Sequence, residues 1–304
     1  MRYSLRQLEV FLAAARHQNI SRAADDLAMS QSAASGALKQ LESQFSVQLF
    51  DRVGKRLHLN ELGAQLRPRA ENLLAQAREL EEALAGREVA GRLNIGATLT
   101  IGNYLAVRMI ADFRRQYPAT DVALSVANTE NIAERVASFT LDMGLIEGEL
   151  NHPDLETRHW RSDELQVFVA PSHPLAAKGL LDDSDLLAMQ WILREPGSGT
   201  RQTFDRALRG ILADIHIAME LQHTEAIKRA VEAGLGVGCL SRISLVEAFQ
   251  RGSLVPLQVP GRDFRRQLNL IIHRRKFHSA ALSQWLRLCE ESWSDILPAQ
   301  SSAT

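Results

Sequence analysis

Apolar residues near the N-terminus recur every three or four positions, a period that predicts short helices. Leu5, Leu8, Phe11 and Leu12 make one helical stripe, and Ser4 with Gln7 forms a capping-box pattern ahead of it. Asn19-Ile20-Ser21 breaks that helix, and Ser21 is placed to cap a second one through Arg22, Ala23, Ala24 and Leu27. Ala28-Met29 supplies a turn, and Ser30 is placed to cap a third helix over 31–42. Short helices on a tight turn, with alanine where they meet, predict a helix-turn-helix. In the third helix Ala33, Ala37, Leu38 and Leu41 form the packing face, which leaves Gln31, Ser32, Ser35 and Lys39 outward. Gly36 costs that helix about 1 kcal/mol relative to alanine, which implies a close approach to something.

The pattern then changes twice. "LFDRVGKRLHLN" reads as two extended pieces around a turn tipped by Arg52, Lys55 and Arg56. Leu62, Leu66, Ala70, Leu73, Ala77, Leu80 and Leu84 follow at steps of 3 and 4, a narrow heptad-like seam on a long helix. Such a seam favours pairing with a second copy, with packing on its own domain as the alternative; Pro68 kinks the helix or marks its effective start. From about residue 89 short strands alternate with helices: "GRLNIGA", "YLAVRMIADFRRQYP", "DVALSV", "ENIAERVASF", "LDMGLIEG", then "QWILRE", "QTFDRALRG", "IAMELQH", "TEAIKRAVEAG" and "LGVGCLS". Repeated βα units predict parallel sheets with ligands outside the carboxyl ends of the strands. The run is longer than one sheet needs, so two similar subdomains with a cleft between them are expected.

Charge sharpens the N-terminal reading. The whole chain of 304 residues carries a formal charge of −1, but residues 1–60 hold eight Lys or Arg against five acids. A locally basic end suits a polyanion. Gln31 can bond adenine in bidentate fashion, Ser32 and Ser35 can bond base edges or phosphate, and Lys39 reaches guanine or backbone. Arg22 and Ser30 lie beside them, and a basic hairpin next to a helix-turn-helix is a wing that grips phosphate or the minor groove through Arg52, Lys55 and Arg56. There is no run of about 18 apolar residues and no signal-peptide pattern, so a cytoplasmic protein without a membrane segment is expected. Cys239 and Cys289 stand singly in apolar surroundings and read as buried thiols.

"LRQLEVFLAAARHQNISRAADDLAMSQSAASGALKQLESQFSVQLFDR" followed by "LHLNELG" resembles the DNA-binding domain of LysR-type transcriptional regulators in order and spacing. Two positions depart from the family pattern: Ser46 stands where Gly is usual after the recognition helix, and Asn60 where Thr is usual before the linker helix. The resemblance implies an N-terminal winged helix-turn-helix, mostly α, a long linker helix, and an α/β periplasmic-binding-protein-like effector domain of two Rossmann-like subdomains. It places the DNA-binding domain at 1–60, the linker and dimerisation helix at 61–88, and the effector-binding domain at 89–304. The chain is expected to cross between subdomains near residue 162 and to return near 266, so that the first subdomain takes 89–162 and 266–304, the second 163–265. The implied partners are double-stranded promoter DNA, a second copy in a homodimer or homotetramer, and a small-molecule co-inducer, with RNA polymerase a further candidate.

Thr98, Thr100, Asn128, Thr129, Ser198, Thr200 and Thr224 all fall where a strand gives way to a helix. Each places a hydroxyl or amide beside free backbone N–H groups and a positive helix end, a ready anion site, although any one of them also serves as a cap. The two glycines of "EPGSGTR" let the backbone come close to a ligand. The family resemblance assigns effector contacts to Thr98, Thr100, Ser198 and Thr200. Glu147 and Glu195 end strands on the cleft side; they read as an acid–base pair, or as partners of Arg194, Arg201 or Arg229, or as a receiver for a cationic group. A small anionic metabolite is the expected effector, with an amino-acid-like zwitterion left open. "LIEG" with "EPGSGTR" resembles the family branch linked to sulfur and carbon assimilation genes. His152, His159 and His173 lack metal spacing, "GLGVG" lacks the spacing of a dinucleotide loop, and no cofactor is implied. "HRRKF" at 273–277 reads as a solvated basic turn. The alternative from another class is a solute-binding or enzymatic α/β protein with a helical dimerisation module.

Overall fold

The computed structural model describes residues 2–54, 56–84 and 91–291. Its N-terminal unit packs α1 (Leu5–His17), α2 (Ile20–Asp26) and α3 (Gln31–Gln44) against the hairpin β1 (Phe50–Val53) and β2 (Arg56–Leu59). The capping box closes on α1: Ser4 N donates to Gln7 Oε1 at 2.9 Å and Gln7 N to Ser4 Oγ at 3.2 Å. α2 is capped by Asn19, whose Oδ1 accepts from Ser21 N and Arg22 N at 2.9 and 3.1 Å. Ser21 cannot cap because the helix has already begun at Ile20, which makes its amide one of the donors to be satisfied. Ser30 caps α3 by accepting from Ala33 N. The buried stripe of α3 is Ala34, Leu38 and Leu41, one residue out of phase with the expected Ala33, which is exposed; Ala37 is half-buried. Val53 pairs with Arg56, and Gly54 follows Val53 at φ +61°; the expected wing residue Lys55 lies outside the described residues.

The linker helix α4 (Glu61–Leu84) starts at an Asn60 cap, with Asn60 Oδ1 accepting from Gly63 N at 2.9 Å, and runs unbroken through Pro68. Its seam divides. Ala70 and Leu74 are buried in the N-terminal core, with Leu62, Leu66 and Leu73 packed beside them. Leu80 and Leu84 are 61% and 79% exposed. The first half therefore packs on its own chain, and among the described side chains the exposed leucines lie in the second half.

The C-terminal unit contains β3 (Arg92–Ala97), a π-helical turn at Ile101–Ala106 leading into α5 (Val107–Gln116), β4 (Asp121–Val126), α6 (Thr129–Ala137) and β5 (Met143–Glu147). The long β6 (Leu155–Val169) leads to α7 (Asp183–Ala188), β7 (Gln190–Arg194), α8 (Gly199–Ala207), β8 (His216–Leu221), α9 (Thr224–Glu232) and β9 (Val237–Ser241). α10 (Arg242–Gln250), β10 (Val255–Leu257), β11 (Arg265–His273) and α11 (Ala280–Glu291) complete it. The strand order is β4-β3-β5-β11-β6-β9-β7-β8, with β10 on β6. β3, β4 and β5 are parallel, as are β7, β8 and β9, so each half is a βα unit with its own apolar core. The antiparallel strands β6 and β11 run between them: β6 pairs with β11 up to Glu164 and with β9 from Leu165. The helix expected from Tyr104 begins earlier, because the chain is already helical at Leu99.

α3 ends in a Schellman motif. Val47 N donates to Glu42 O and Ser46 N to Ser43 O, with Ser46 at φ +52°. A left-handed conformation costs a residue with a Cβ about 1–2 kcal/mol, and glycine escapes it at some cost in unfolded-state entropy. Ser46→Gly is expected to stabilise the chain by about 0.5–1 kcal/mol, read as a higher urea midpoint at unchanged slope; an unchanged or lower midpoint would contradict the strain.

Candidate functional site

Two sites emerge, one on each unit. On the N-terminal unit Arg22, Gln31, Ser32, Lys39, Arg52 and Arg56 are exposed and Ser35 is half-buried. Ser30 is exposed too, but its hydroxyl is engaged with Ser32 Oγ at 3.1 Å and with the helix cap. Among the described residues Arg22, Lys39, Arg52 and Arg56 form no ion pair, which leaves their charge available to a polyanion. A groove of about 340 Å³ brings Gln31 and Ser35 of α3 together with Arg52 and Arg56 of the wing, over Asn19 and Ser21. A Cβ at Gly36 would meet nothing within 4 Å, so the fold itself makes no demand for glycine on this exposed face.

The second site lies where β5, β6 and β11 meet. Arg266 is completely buried between two buried carboxylates: its Nη1 donates to Glu147 Oε2 at 2.8 Å and its Nε to Asp163 Oδ2 at 2.7 Å. Nη1 also donates to Thr200 Oγ1 at 2.9 Å and Nη2 to Thr100 Oγ1 at 3.3 Å, so the guanidinium ties the two halves of the unit. Thr200 Oγ1 donates a hydrogen bond to Glu147 Oε2 at 3.2 Å, and Ser241 donates to Asp163 at 2.9 Å. The other oxygen of Glu147 sits at a helix start, accepting from Thr100 N at 2.7 Å and Ile101 N at 3.3 Å. The strand-to-helix turn thus behaves as the expected anion site, and the anion it holds is the protein's own Glu147.

Burial alone would push the Glu147 carboxyl up; Arg266 beside it, the hydroxyls of Thr98 and Thr100 and the nearby Arg194 outweigh that and hold it below the usual carboxylate range. Arg266 is likewise disfavoured by burial and restored by Glu147 and Asp163. Glu147 is therefore an ion-pair partner rather than half of an acid–base pair. The Thr98 hydroxyl lies close to Glu147, yet its oxygen is buried without a hydrogen-bond partner.

The remaining candidates surround this centre. Thr129 Oγ1 donates to Glu147 O at 3.2 Å, while Asn128 and Ser198 cap α6 and α8. Thr224 is buried at the first position of α9. Glu195 forms a bidentate pair with the buried Arg194, at 2.8 and 2.9 Å. Arg201 turns out of the cluster to Asp205, Glu220 and the Arg194 carbonyl, because one helical turn separates it from Asp205 on the outer side of α8. The glycines of "EPGSGTR" serve the cleft itself: a Cβ on Gly199 would lie 1.9 Å from Glu147 O, and one on Gly197 2.7 Å from Glu130 Oε2. Across the rim Tyr104 donates to Glu225 at 2.8 Å, and Lys228 joins Glu225, Tyr104 and the Ser244 carbonyl.

Sequence reasoning missed Arg266, Asp163, Tyr104, Glu225 and Lys228. A signal existed for the first two. Period-two alternation puts Arg266 in phase with Leu268, Leu270 and Ile272, and Asp163 with Leu165, Val167 and Val169, so both charges sit on faces that go inward. Among the described residues no group of three or more His, Cys, Asp or Glu is placed to hold a metal ion, and no helix is long and apolar enough to cross a membrane.

Comparison with known proteins matches both units of the chain. The family model described as "Bacterial regulatory helix-turn-helix protein, lysR family" matches residues 5–64, and that described as "LysR substrate binding domain" matches 86–294. The "Uncharacterized HTH-type transcriptional regulator YeiE" of Escherichia coli is 45% identical over 290 residues, 95% of this chain and 98% of that protein. The RuBisCO operon transcriptional regulator of Allochromatium vinosum is 34% identical over 283 residues, covering 92% and 93%. A full-length OxyR variant from Pseudomonas aeruginosa shares the fold with a TM-score of 0.73 over 96% of each chain, at 23% identity. The Synechocystis CcmR regulatory domain in complex with 2-PG matches with a TM-score of 0.63 at 27% identity, covering 68% of this chain and 99% of that one. The chain belongs to the LysR family of transcriptional regulators, proteins that bind DNA through a helix-turn-helix and answer to a small molecule in a separate domain, and it is not an enzyme.

Proposed function

We propose that Arg22, Ser30, Gln31, Ser32, Ser35, Lys39 and the wing residues Arg52, Lys55 and Arg56 read double-stranded promoter DNA, and that a small anionic metabolite in the Arg266 cleft sets how they do so. The observation that carries the first part is the groove lined by Gln31, Ser35, Arg52 and Arg56, whose arginines form no ion pair among the described residues. Gln31 and Ser35 read base edges there, and the wing arginines hold phosphate. Gly36, which the fold does not require, lets the helix lie close to the duplex. Leu80 and Leu84, one turn apart and exposed, pair with the same residues of a second copy, so that a homodimer presents two recognition helices to two half-sites. A further pairing of dimers gives a homotetramer. In this reading the protein works in the cytoplasm, with promoter DNA and RNA polymerase as its macromolecular partners.

The anionic class follows from the donors. Arg266, Thr100, Thr200 and two backbone amides already hold one carboxylate, and Arg194 holds a second from Glu195 near the cleft mouth. An incoming acid competes with Glu147 and Glu195 for these donors and takes the vacant Thr98 hydroxyl. The CcmR regulatory domain bound to 2-PG supports the same class.

Gln31→Ala is expected to weaken binding to the chain's own upstream intergenic duplex by about 1–3 kcal/mol while leaving a scrambled duplex unaffected. Arg56→Ala is expected to weaken both alike and to reduce the salt slope by about one. Equal losses on both duplexes for Gln31→Ala would remove it from base readout. For the cleft, 2-PG and a panel of small carboxylates should raise the melting temperature. Thr98→Val should weaken the best acid about tenfold, measured against the variant's own stability without ligand, since this hydroxyl also helps to hold Glu147 charged. Stabilisation by none of the acids, or undiminished binding to the variant, would contradict the reading.

A further inference from the structure

Two elements of the C-terminal unit start at the cleft centre and end on the linker helix. α6 begins at Thr129, bonded to Glu147 O, and is capped at its far end by Ser138, whose carbonyl accepts a hydrogen bond from Arg67 of α4. β11 carries Arg266 at one end and His273 at the other. Just beyond His273 the backbone docks on Asn72 of α4: Asn72 Nδ2 donates to Arg275 O at 3.0 Å, and Phe277 N donates to Asn72 Oδ1 at 2.9 Å. The ends of the two elements are locked to each other, since the Phe139 and His273 rings lie 4.1 Å apart. Lys276 covers Phe139 and pairs with Asp142 at 2.7 Å. The "HRRKF" turn is therefore a seat for the linker rather than a solvated loop.

We infer that the face of α4 formed by Arg67, Glu71 and Asn72 is the receiving surface for the state of the cleft, with α6 and β11 as the elements that carry it. This face is separate from the Leu62–Leu74 stripe that packs on the N-terminal core and from the exposed Leu80 and Leu84. Its charges come from three parts of the chain: burial raises the Glu71 carboxyl, and Lys276, Arg67 and Arg16 of α1 oppose that rise. The seam also borders open space. A groove of about 350 Å³ runs between Arg67 and Pro68 on one side and Phe139, Asp154, His273 and Arg275 on the other. Arg67 Nε is buried there without a hydrogen-bond partner. A seam flanked by an open groove and holding an unmet donor has room for a second docked arrangement. Any rearrangement of the Glu147–Arg266 pair displaces the starts of α6 and β11, and the seam is where their other ends meet the DNA-binding unit.

This coupling belongs to the chain alone and is tested with neither ligand nor DNA, so that its failure would leave the anion proposal untouched. Hydrogen exchange of the full chain is compared among wild type, Thr129→Val, Thr200→Val and Asn72→Ala. The two valine variants each delete a hydroxyl at the cleft, from opposite halves, which separates coupling from local loosening of α6. Coupling predicts that both raise exchange of the amides in 61–80 about tenfold, that Asn72→Ala does so directly, and that the combined variant shows no further increase. Exchange changes confined to the cleft segments, an unchanged linker in Asn72→Ala, or simple additivity in the combined variant would each overturn it.

Discussion

The burial of one guanidinium between two carboxylates governs the C-terminal unit. Taking Arg266, Glu147 and Asp163 out of water costs several kcal/mol per charge, and their mutual attraction recovers this only when each has its full set of hydrogen bonds. That condition recruits Thr100, Thr200, Ser241 and the amides of Thr100 and Ile101. Because these groups belong to both halves, satisfying the buried charge closes the cleft. The closure then demands Gly199, since any side chain there would strike the Glu147 carbonyl. A regulator benefits from such a centre because it is stable only when complete: a competing acid that removes one bond puts the others at risk.

The linker helix shows how one element serves several partners at once. Its early apolar positions complete the N-terminal core, its Arg67, Glu71 and Asn72 face meets the effector unit, and its last turns leave Leu80 and Leu84 exposed. A heptad seam would have assigned all the leucines to a partner helix. The actual division follows from where Ala70 and Leu74 find the α1 face, already apolar and within reach.

Much of this was legible from pattern. The helix-turn-helix, the wing and the βα repeats follow from apolar periodicity and caps, and Ser4 and Ser30 cap where the sequence suggested. The hydroxyls Thr98, Thr100, Thr129 and Thr200 gather at one place because each follows a parallel strand of the same sheet or its partner. What stayed hidden was who pairs with whom. The sequence offers Glu147 the arginines Arg194, Arg201 and Arg229, yet its partner Arg266 lies more than a hundred residues on, brought beside it by the antiparallel return of β11. Sequence order carries no direct information on that contact; only the phase of Arg266 with Leu268 and Leu270 marks it as inward. The out-of-phase stripe of α3 has a simpler cause, since alanine on both flanks leaves the helix phase ambiguous by one residue.

The central claim is that Glu147 is charged and held by Arg266, and the pH dependence of stability tests it most directly. A carboxyl whose folded pKa lies below its ordinary value of about 4.3 contributes stability above that value and loses it as the pH falls through the folded pKa. Urea unfolding of wild type and Glu147→Gln between pH 7 and 3 should show the variant weaker by about 3–5 kcal/mol at pH 7. That gap should narrow as the pH falls below about 4, because protonation removes from wild type what the variant already lacks. Parallel profiles, with the same gap at pH 7 and pH 3, would show that Glu147 carries no charge for Arg266 to hold.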